Sequence, residues 1–228
     1  MLSHNHGDHT GGLLTLRKAM MTKNPKALSR VHVAEGFFLP AESGPRIPML
    51  RQRAALEAAG VTFVTHKGPE ELAPGVWVTG PVPRHTDEKN YPDGLKVQTA
   101  AGPAQDTIPE DQALVFDTAE GVVVLTGCGH SGAINLVQDA RAITKAKTVL
   151  AVIGGLHIFD ASDTRLDWTG AELKASGVKY LLMGHCTGLE ATWRLRQATG
   201  LTRKTAAYGA NGSTFILGKG INPGRIAG

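Results

Sequence analysis

The sequence predicts an α/β fold, on three observations. A pattern of apolar strand, tight glycine turn, histidine and helix occurs three times in the second half. The apolar runs there are four to six residues long, strand length rather than helix length. The first half alternates helical periodicity with short β-branched runs. Hydrophobic residues make up 42% of the 228 and charged residues 19%, an ordinary globular composition rather than a disordered one. That length fits one large domain, and the chain reads as a single unit over 1–228.

The elements follow in order. Thr10 caps a helix carrying Leu13, Leu14, Leu16 and Met20. Val31–Ala34 reads as a buried strand, and Ile47–Ala59 as a helix stopped by Gly60. Val61–Thr65 and Val76–Thr79 are short strands, and residues 80–111, rich in Pro, Gly, Asp and Lys, read as a long loop. Ala113–Asp117 and Val122–Thr126 form a hairpin across Ala119–Gly121. From Val122 the three repeats run through Gly127-Cys-Gly-His130, Gly154-Gly-Leu-His157 and Gly184-His185-Cys-Thr-Gly188. Ligands of open α/β sheets gather outside the carboxyl ends of the strands, and all three histidines fall there.

Several classes are excluded. No apolar run approaches the ~18 residues of a membrane helix. The 24 basic against 20 acidic residues give +4, which allows an anionic substrate, but the scattered Lys and Arg show no nucleic-acid footprint. Two cysteines build no disulfide framework and lean towards a reducing, cytoplasmic setting.

The nine histidines carry the functional signal, most densely in His4-Asn5-His6-Gly7-Asp8-His9. Imidazoles and a carboxylate suit zinc, and also iron or manganese in mixed nitrogen and oxygen sites. Donors at His4, His6, Asp8 and His9 can serve one ion or two adjacent ions. His130 and His185, at strand ends, are the further expected ligands. His157 either binds metal or meets substrate as an acid or base. Cys128 and Cys186 read as small buried side chains beside tight turns, His32 and His66 as structural residues, and His85 as a loop residue outside the metal site. Arg84 is a candidate anion contact, and Ser131, before a helix, is a second through the free N–H groups there.

Ser3-His-Asn-His-Gly-Asp-His-Thr-Gly-Gly12 resembles the H-x-H-x-D-H signature of the metallo-β-lactamase fold superfamily. Leu125–Asn135, Ile153–His157, Met183–Gly188 and the loop around Pro83-Arg84, Thr86 and Glu88 resemble one branch of it. That branch comprises metal-dependent hydrolases and synthases of ribofuranosylaminobenzene 5′-phosphate pterin adducts. The resemblance implies an αβ/βα sandwich with its metal site at one edge. Members of the fold carry several strands before the signature, where Leu2 stands here, so the sequence predicts a sandwich lacking its first N-terminal strands and exposing an edge or an apolar face. Other branches place an aspartate where this chain has Cys128.

Three functional expectations follow. The first is a hydrolase in which one or two ions, zinc foremost, activate water against an ester or phosphoester, with Asp8 and His157 as catalytic groups. The second is the synthase chemistry of the branch, with a phosphorylated small-molecule substrate. The third is a non-catalytic remnant. No nucleic-acid or membrane partner is expected, and a homo-oligomer is the expected assembly if the sheet is left open.

Overall fold

The computed structural model describes residues 1–224. The chain opens with the metal-signature loop, which closes into a single helical turn, α1 (Gly7–Thr10), and continues into α2 (Leu13–Met21). Two parallel strands, β1 (Arg30–Ala34) and β2 (Thr62–His66), flank α3 (Ile47–Ala58). Leu13, Val31, Val33, Phe37, Met49, Leu56 and Val61 bury a core of their own between these elements. Proline near the start of α3 and Gly60 beyond its end (φ +77°) are the expected punctuation of a helix.

The second half is built on one sheet. Strands β3 (Glu70–Ala73), β4 (Val76–Val78), β7 (Leu114–Thr118), β8 (Gly121–Leu125), β9 (Val149–Gly154), β10 (Tyr180–Met183) and β11 (Ala206–Tyr208) lie in the order β11-β10-β9-β8-β7-β4-β3. β8 to β11 run parallel; β7, β4 and β3 are added antiparallel. Parallel neighbours need crossovers, and α4 (Ala133–Thr144), α5 (Asp163–Ala175) and α6 (Leu189–Thr199) supply them. Alternation assigns one strand face to these helices: Val122, Val124, Val152, Leu181 and Met183 pack with Leu136, Val137, Leu173 and Leu195 in the main core. The other face carries Phe116, Val123, Leu125, Ile153, Phe215 and Leu217 around a shallow groove of about 280 Å³, with Leu125 36% and Leu217 45% exposed. An apolar face of this kind was expected. A hairpin, β12 (Thr214–Ile216) with β13 (Gly220–Asn222), covers part of it through Phe215.

Several segments depart from the sequence reading. Thr10 lies inside α1 and Gly12 is the N-cap of α2, and the short strands β11 to β13 follow a stretch in which the sequence reading names no element. Residues 80–111 contain the hairpin β5 (Lys96–Thr99) with β6 (Gly102–Gln105), turned by Ala100-Ala101. Its burial is slight, so it lacks the apolar alternation that betrays a strand. β3, which the sequence reading does not name, carries Glu70-Glu71; it is an edge strand, where charged residues are common. Among the described residues no helix is long and apolar enough to cross a membrane.

Candidate metal centre

The signature loop is fixed from below by polar contacts. The Gln112 backbone N–H donates to Ser3 O (3.0 Å), and Gln112 Nε2 donates to Leu2 O (2.8 Å). Asn5 N–H donates to Glu110 Oε1 (3.1 Å) and Asn5 Nδ2 to Phe37 O (2.8 Å). Glu110 in turn accepts from Arg46 Nη2 (2.6 Å), which also donates to Asp106 Oδ1 (2.8 Å). All three charged side chains are buried. Burial pushes the Glu110 carboxyl up, and Arg46 partly offsets it.

This frame brings the loop against the strand ends. His4, His6 and His130 form a triangle of rings with centroids 4.5, 4.6 and 4.9 Å apart. The Nε2 atom of each is buried and has no hydrogen-bond partner. Buried polar atoms are nearly always bonded, so three such nitrogens together have the chemistry of a metal-ligand set. The tautomer of His130 is arranged for it: its Nδ1–H donates to the Asn90 carbonyl, which leaves the Nε2 lone pair free. The Ser3 hydroxyl lies 3.0 Å from His4 Nδ1. Burial holds His4 well below the usual imidazole range, lowers His6 to about 4, and sends His130 further down. All three are therefore neutral near pH 7, as ligands must be.

A second set adjoins the first. Asp8 Oδ2 is 3.0 Å from His185 Nε2 and 3.3 Å from His9 Nε2, and the two imidazole nitrogens are 3.2 Å apart. Among the described residues three groups bring ligand atoms within 4.8 Å of one another: His4–Cys128–His130, His9–Cys128–His185 and Cys128–His157–Cys186. All six residues expected as ligands, His4, His6, Asp8, His9, His130 and His185, meet at this one place, and His157 stands beside them, its ring 4.3 Å from that of His130. His157 and His185 both adopt left-handed backbone (φ +46° and +53°), which is uncommon outside glycine and concentrates at functional sites. The donor set, imidazoles with a carboxylate and a thiol, fits zinc or iron.

Two expected substrate contacts are engaged inside the protein. Ser131 is buried, and its backbone N–H and hydroxyl both donate to Asp111 Oδ2 at 2.7 Å. Arg84 Nη2 donates to the carbonyls of Thr107 (2.6 Å), Ile108 and His130. Nor is the start of α4 open to an anion, because Glu88 takes the N–H groups of Ile134 and Asn135. A Cβ on Gly132 would lie 2.5 Å from Glu88 Oε2, so glycine is required there. His32 and His66 hydrogen-bond each other (2.8 Å), and His66 bonds Glu70 (2.8 Å), a cluster separate from the donor site. His85 is held through its backbone N–H by Asn135 Oδ1 (2.9 Å).

The open space lies elsewhere. A cleft of about 560 Å³ reaches His157 and is lined by Asp87, Lys89, Asn90, Asp160 and Arg165. A neighbouring hollow of about 520 Å³ shares Asp87 and Arg165 and adds Trp168. Arg165 pairs with Asp87 (2.9 Å) and lies 4.8 Å over the Trp168 ring. Sequence reasoning missed these residues. Their one signal was membership in, or contact with, the long segment 80–111.

Comparison with known proteins bears on the fold. The chain superposes with a TM-score of 0.67 on a solved structure described as a metal-dependent hydrolase of the β-lactamase superfamily, with 24% identity over 88% of this chain and 74% of that one. It is 31% identical over 199 residues to the 7,8-dihydropterin-6-methyl-4-(beta-D-ribofuranosyl)-aminobenzene-5′-phosphate synthase of Methanocaldococcus jannaschii. The chain has the fold of that solved structure. The synthase match covers 84% of this chain and 66% of the synthase, so the chain spans just under two thirds of that relative. An uncharacterized protein of the same organism is 27% identical over 205 residues, covering 86% of this chain and 72% of its own. No family model matches the chain. The curated relative is of the branch that the glycine–histidine turns resemble.

Proposed function

We propose that the protein is a metal-dependent hydrolase of a small-molecule ester or phosphoester, holding one or two ions, zinc foremost, in the donor cluster. One observation carries the reading: three buried imidazole nitrogens without partners, with Asp8, His9 and His185 beside them. His4, His6 and His130 would hold one ion, and Asp8, His9 and His185 a second. Such ions bring the pKa of water towards neutrality and polarise the oxygen of an electrophilic centre.

The chain's own residues do the rest. Asp8 is half exposed and its Oδ2 faces His9 and His185, so it can take the proton of the attacking water. His157, at the mouth of the cleft, is the group that can pass a proton to the leaving oxygen, and its Nδ1 is buried without a partner. Lys89 and Arg165 give the cleft its positive groups, and Trp168 offers a flat apolar wall beyond them.

Asp8→Asn tests the assignment. Turnover should fall by on the order of 10²–10⁴-fold, with the urea unfolding midpoint unchanged; near-normal turnover would remove Asp8 from the mechanism. Elemental analysis should find one to two ions per chain, and none after metal is offered would end the metallo-enzyme reading.

The synthase reading is supported by the 31% identical relative. It replaces water with a second substrate as the nucleophile and uses the same donors. Release of alcohol or phosphate from single esters, without a second substrate, separates hydrolysis from group transfer.

A further inference from the structure

We propose that Cys128 and Cys186 are an oxidisable pair: hydrogen peroxide joins them in a disulfide that draws two donor-bearing turns out of place, and thiol reductants reverse it. The bond itself stands apart from the metal-site reading above; its effect on the site rests on that reading. The pairing lies in the geometry. These are the two cysteines of the sequence, 58 residues apart, and both are free thiols. Their sulfurs lie within 4.8 Å of each other, and the Cys186 S–H donates to the Cys128 carbonyl at 3.7 Å. The turn after β9 passes beside them as Gly155, whose N–H donates to Gly127 O (2.9 Å). A Cβ at position 155 would lie 2.8 Å from Cys186 Sγ and 3.3 Å from Cys128 Cα, so glycine there keeps the approach between the thiols clear.

The two thiols differ in access. Cys128 is 3% exposed, whereas Cys186 is half-buried and its sulfur lies within 4.8 Å of a ring nitrogen of His157, which lines the open cleft. Peroxide entering by the cleft therefore meets Cys186 first. The Cys186 sulfur attacks one peroxide oxygen; an S–O bond forms as the O–O bond breaks, and the thiol proton leaves with the departing hydroxide as water. The Cys128 sulfur then displaces the hydroxyl of that sulfenic acid, and its own proton leaves in a second water. Two thiols are oxidised to one disulfide and one peroxide is reduced to two waters.

The bond acts on the site through the turns that carry it. Two free sulfurs must close to ~2.05 Å to bond. Cys128 stands two residues before His130, and Cys186 follows His185 directly. Drawing the turn after β8 towards the turn after β10 therefore moves one donor of each set, and it takes Cys128 Sγ away from His9 Nε2, 3.0 Å from it in the reduced protein. Metal–ligand distances hold to about ±0.2 Å, so the oxidised chain should bind an ion more weakly.

Hydrogen peroxide in small excess over the purified full chain tests this. The chain mass should fall by two hydrogen atoms, both thiols should be lost to a thiol reagent, and digestion should release a peptide pair joined through Cys128 and Cys186. Dithiothreitol should reverse all three. A chain that only gains oxygen, keeps its thiols or links to a second chain overturns the proposal, and these readings need no variant to fold. In Cys128→Ser, oxidation should stop at the Cys186 sulfenic acid, which dimedone traps; labelling of Cys128 in Cys186→Ser instead would overturn the order of attack. Zinc affinity in chelator competition should be at least about 10-fold weaker for the crosslinked chain than for the reduced one. Equal affinities with the crosslink formed overturn the switch. Zinc bound by neither form removes the metal-site reading and the switch with it, whereas the crosslink is read without any metal.

Discussion

The two halves of the metal centre are held by different physics. His130, His157 and His185 stand at the ends of parallel strands whose positions are set by an apolar core of Val124, Val152, Leu181 and Met183 against three helices. His4, His6, Asp8 and His9 stand on a loop whose frame is polar: buried Arg46 clasping Asp106 and Glu110, and Glu110 and Gln112 holding the loop backbone. Sheet geometry places donors through many weak contacts and tolerates local change. A buried ion network places them through a few strong ones, and removing one partner strands the others. The loop half is therefore the more fragile anchor.

The largest test of that contrast is Arg46→Ala. It leaves two buried carboxylates unpaired and should cost about 3–5 kcal/mol of stability, read by urea unfolding. Metal content should fall with it. A cost below about 1 kcal/mol would place the loop's support elsewhere.

A smaller effect is expected from pH on the metal-free protein. His6 has a folded-state value of about 4 against 6.5 for a free imidazole. The unfolded chain then binds more protons between those values, so stability present at neutral pH is lost as pH falls from about 6.5 towards 4. For His6 alone this reaches about 3 kcal/mol. Asp111 acts in the opposite sense: burial raises it to about 6, so the folded state takes its proton first and gains stability on acidification. The difference between wild type and His6→Asn isolates the histidine. Wild type should lose about 2–3 kcal/mol more than the variant between about pH 7 and pH 4.5. Equal losses would mean that His6 is not buried neutral.

The smallest change sharpens the comparison within one triangle. Ser3→Ala removes the hydroxyl beside His4 Nδ1 and should weaken zinc affinity by about 10–100-fold in chelator competition. His130 is oriented instead by a backbone carbonyl, that of Asn90, which no side-chain substitution at position 90 deletes. An unchanged affinity in Ser3→Ala would show that ring packing alone orients His4.

Much of this site is legible in the sequence because its donors come as local patterns. The H-x-H-x-D-H spacing puts four candidate donors within six residues, and the glycine turns put His130, His157 and His185 at strand ends by rules of chain geometry alone. What Arg84 and Ser131 bond inside the fold is not legible in the same way. Both carry groups that bind anions in isolation, and in the fold Arg84 Nη2 donates to Thr107 and Ile108 while Ser131 donates to Asp111. Nothing local to either residue announces a partner 20 or more positions away.

The sequence by itself determined the α/β class, the order of the main strands and helices, and the six candidate donors that the fold brings together, because hydrophobic period, turn chemistry and residue spacing are short-range properties. Only the tertiary structure decided that Cys128 sits among imidazoles rather than in the apolar core, that Glu88 closes the start of α4, and that Lys89, Arg165 and Trp168 line the open cleft. Each of those facts joins segments tens of residues apart. Which of them meet is fixed by the packing of whole strands and helices, not by the residues that end up in contact.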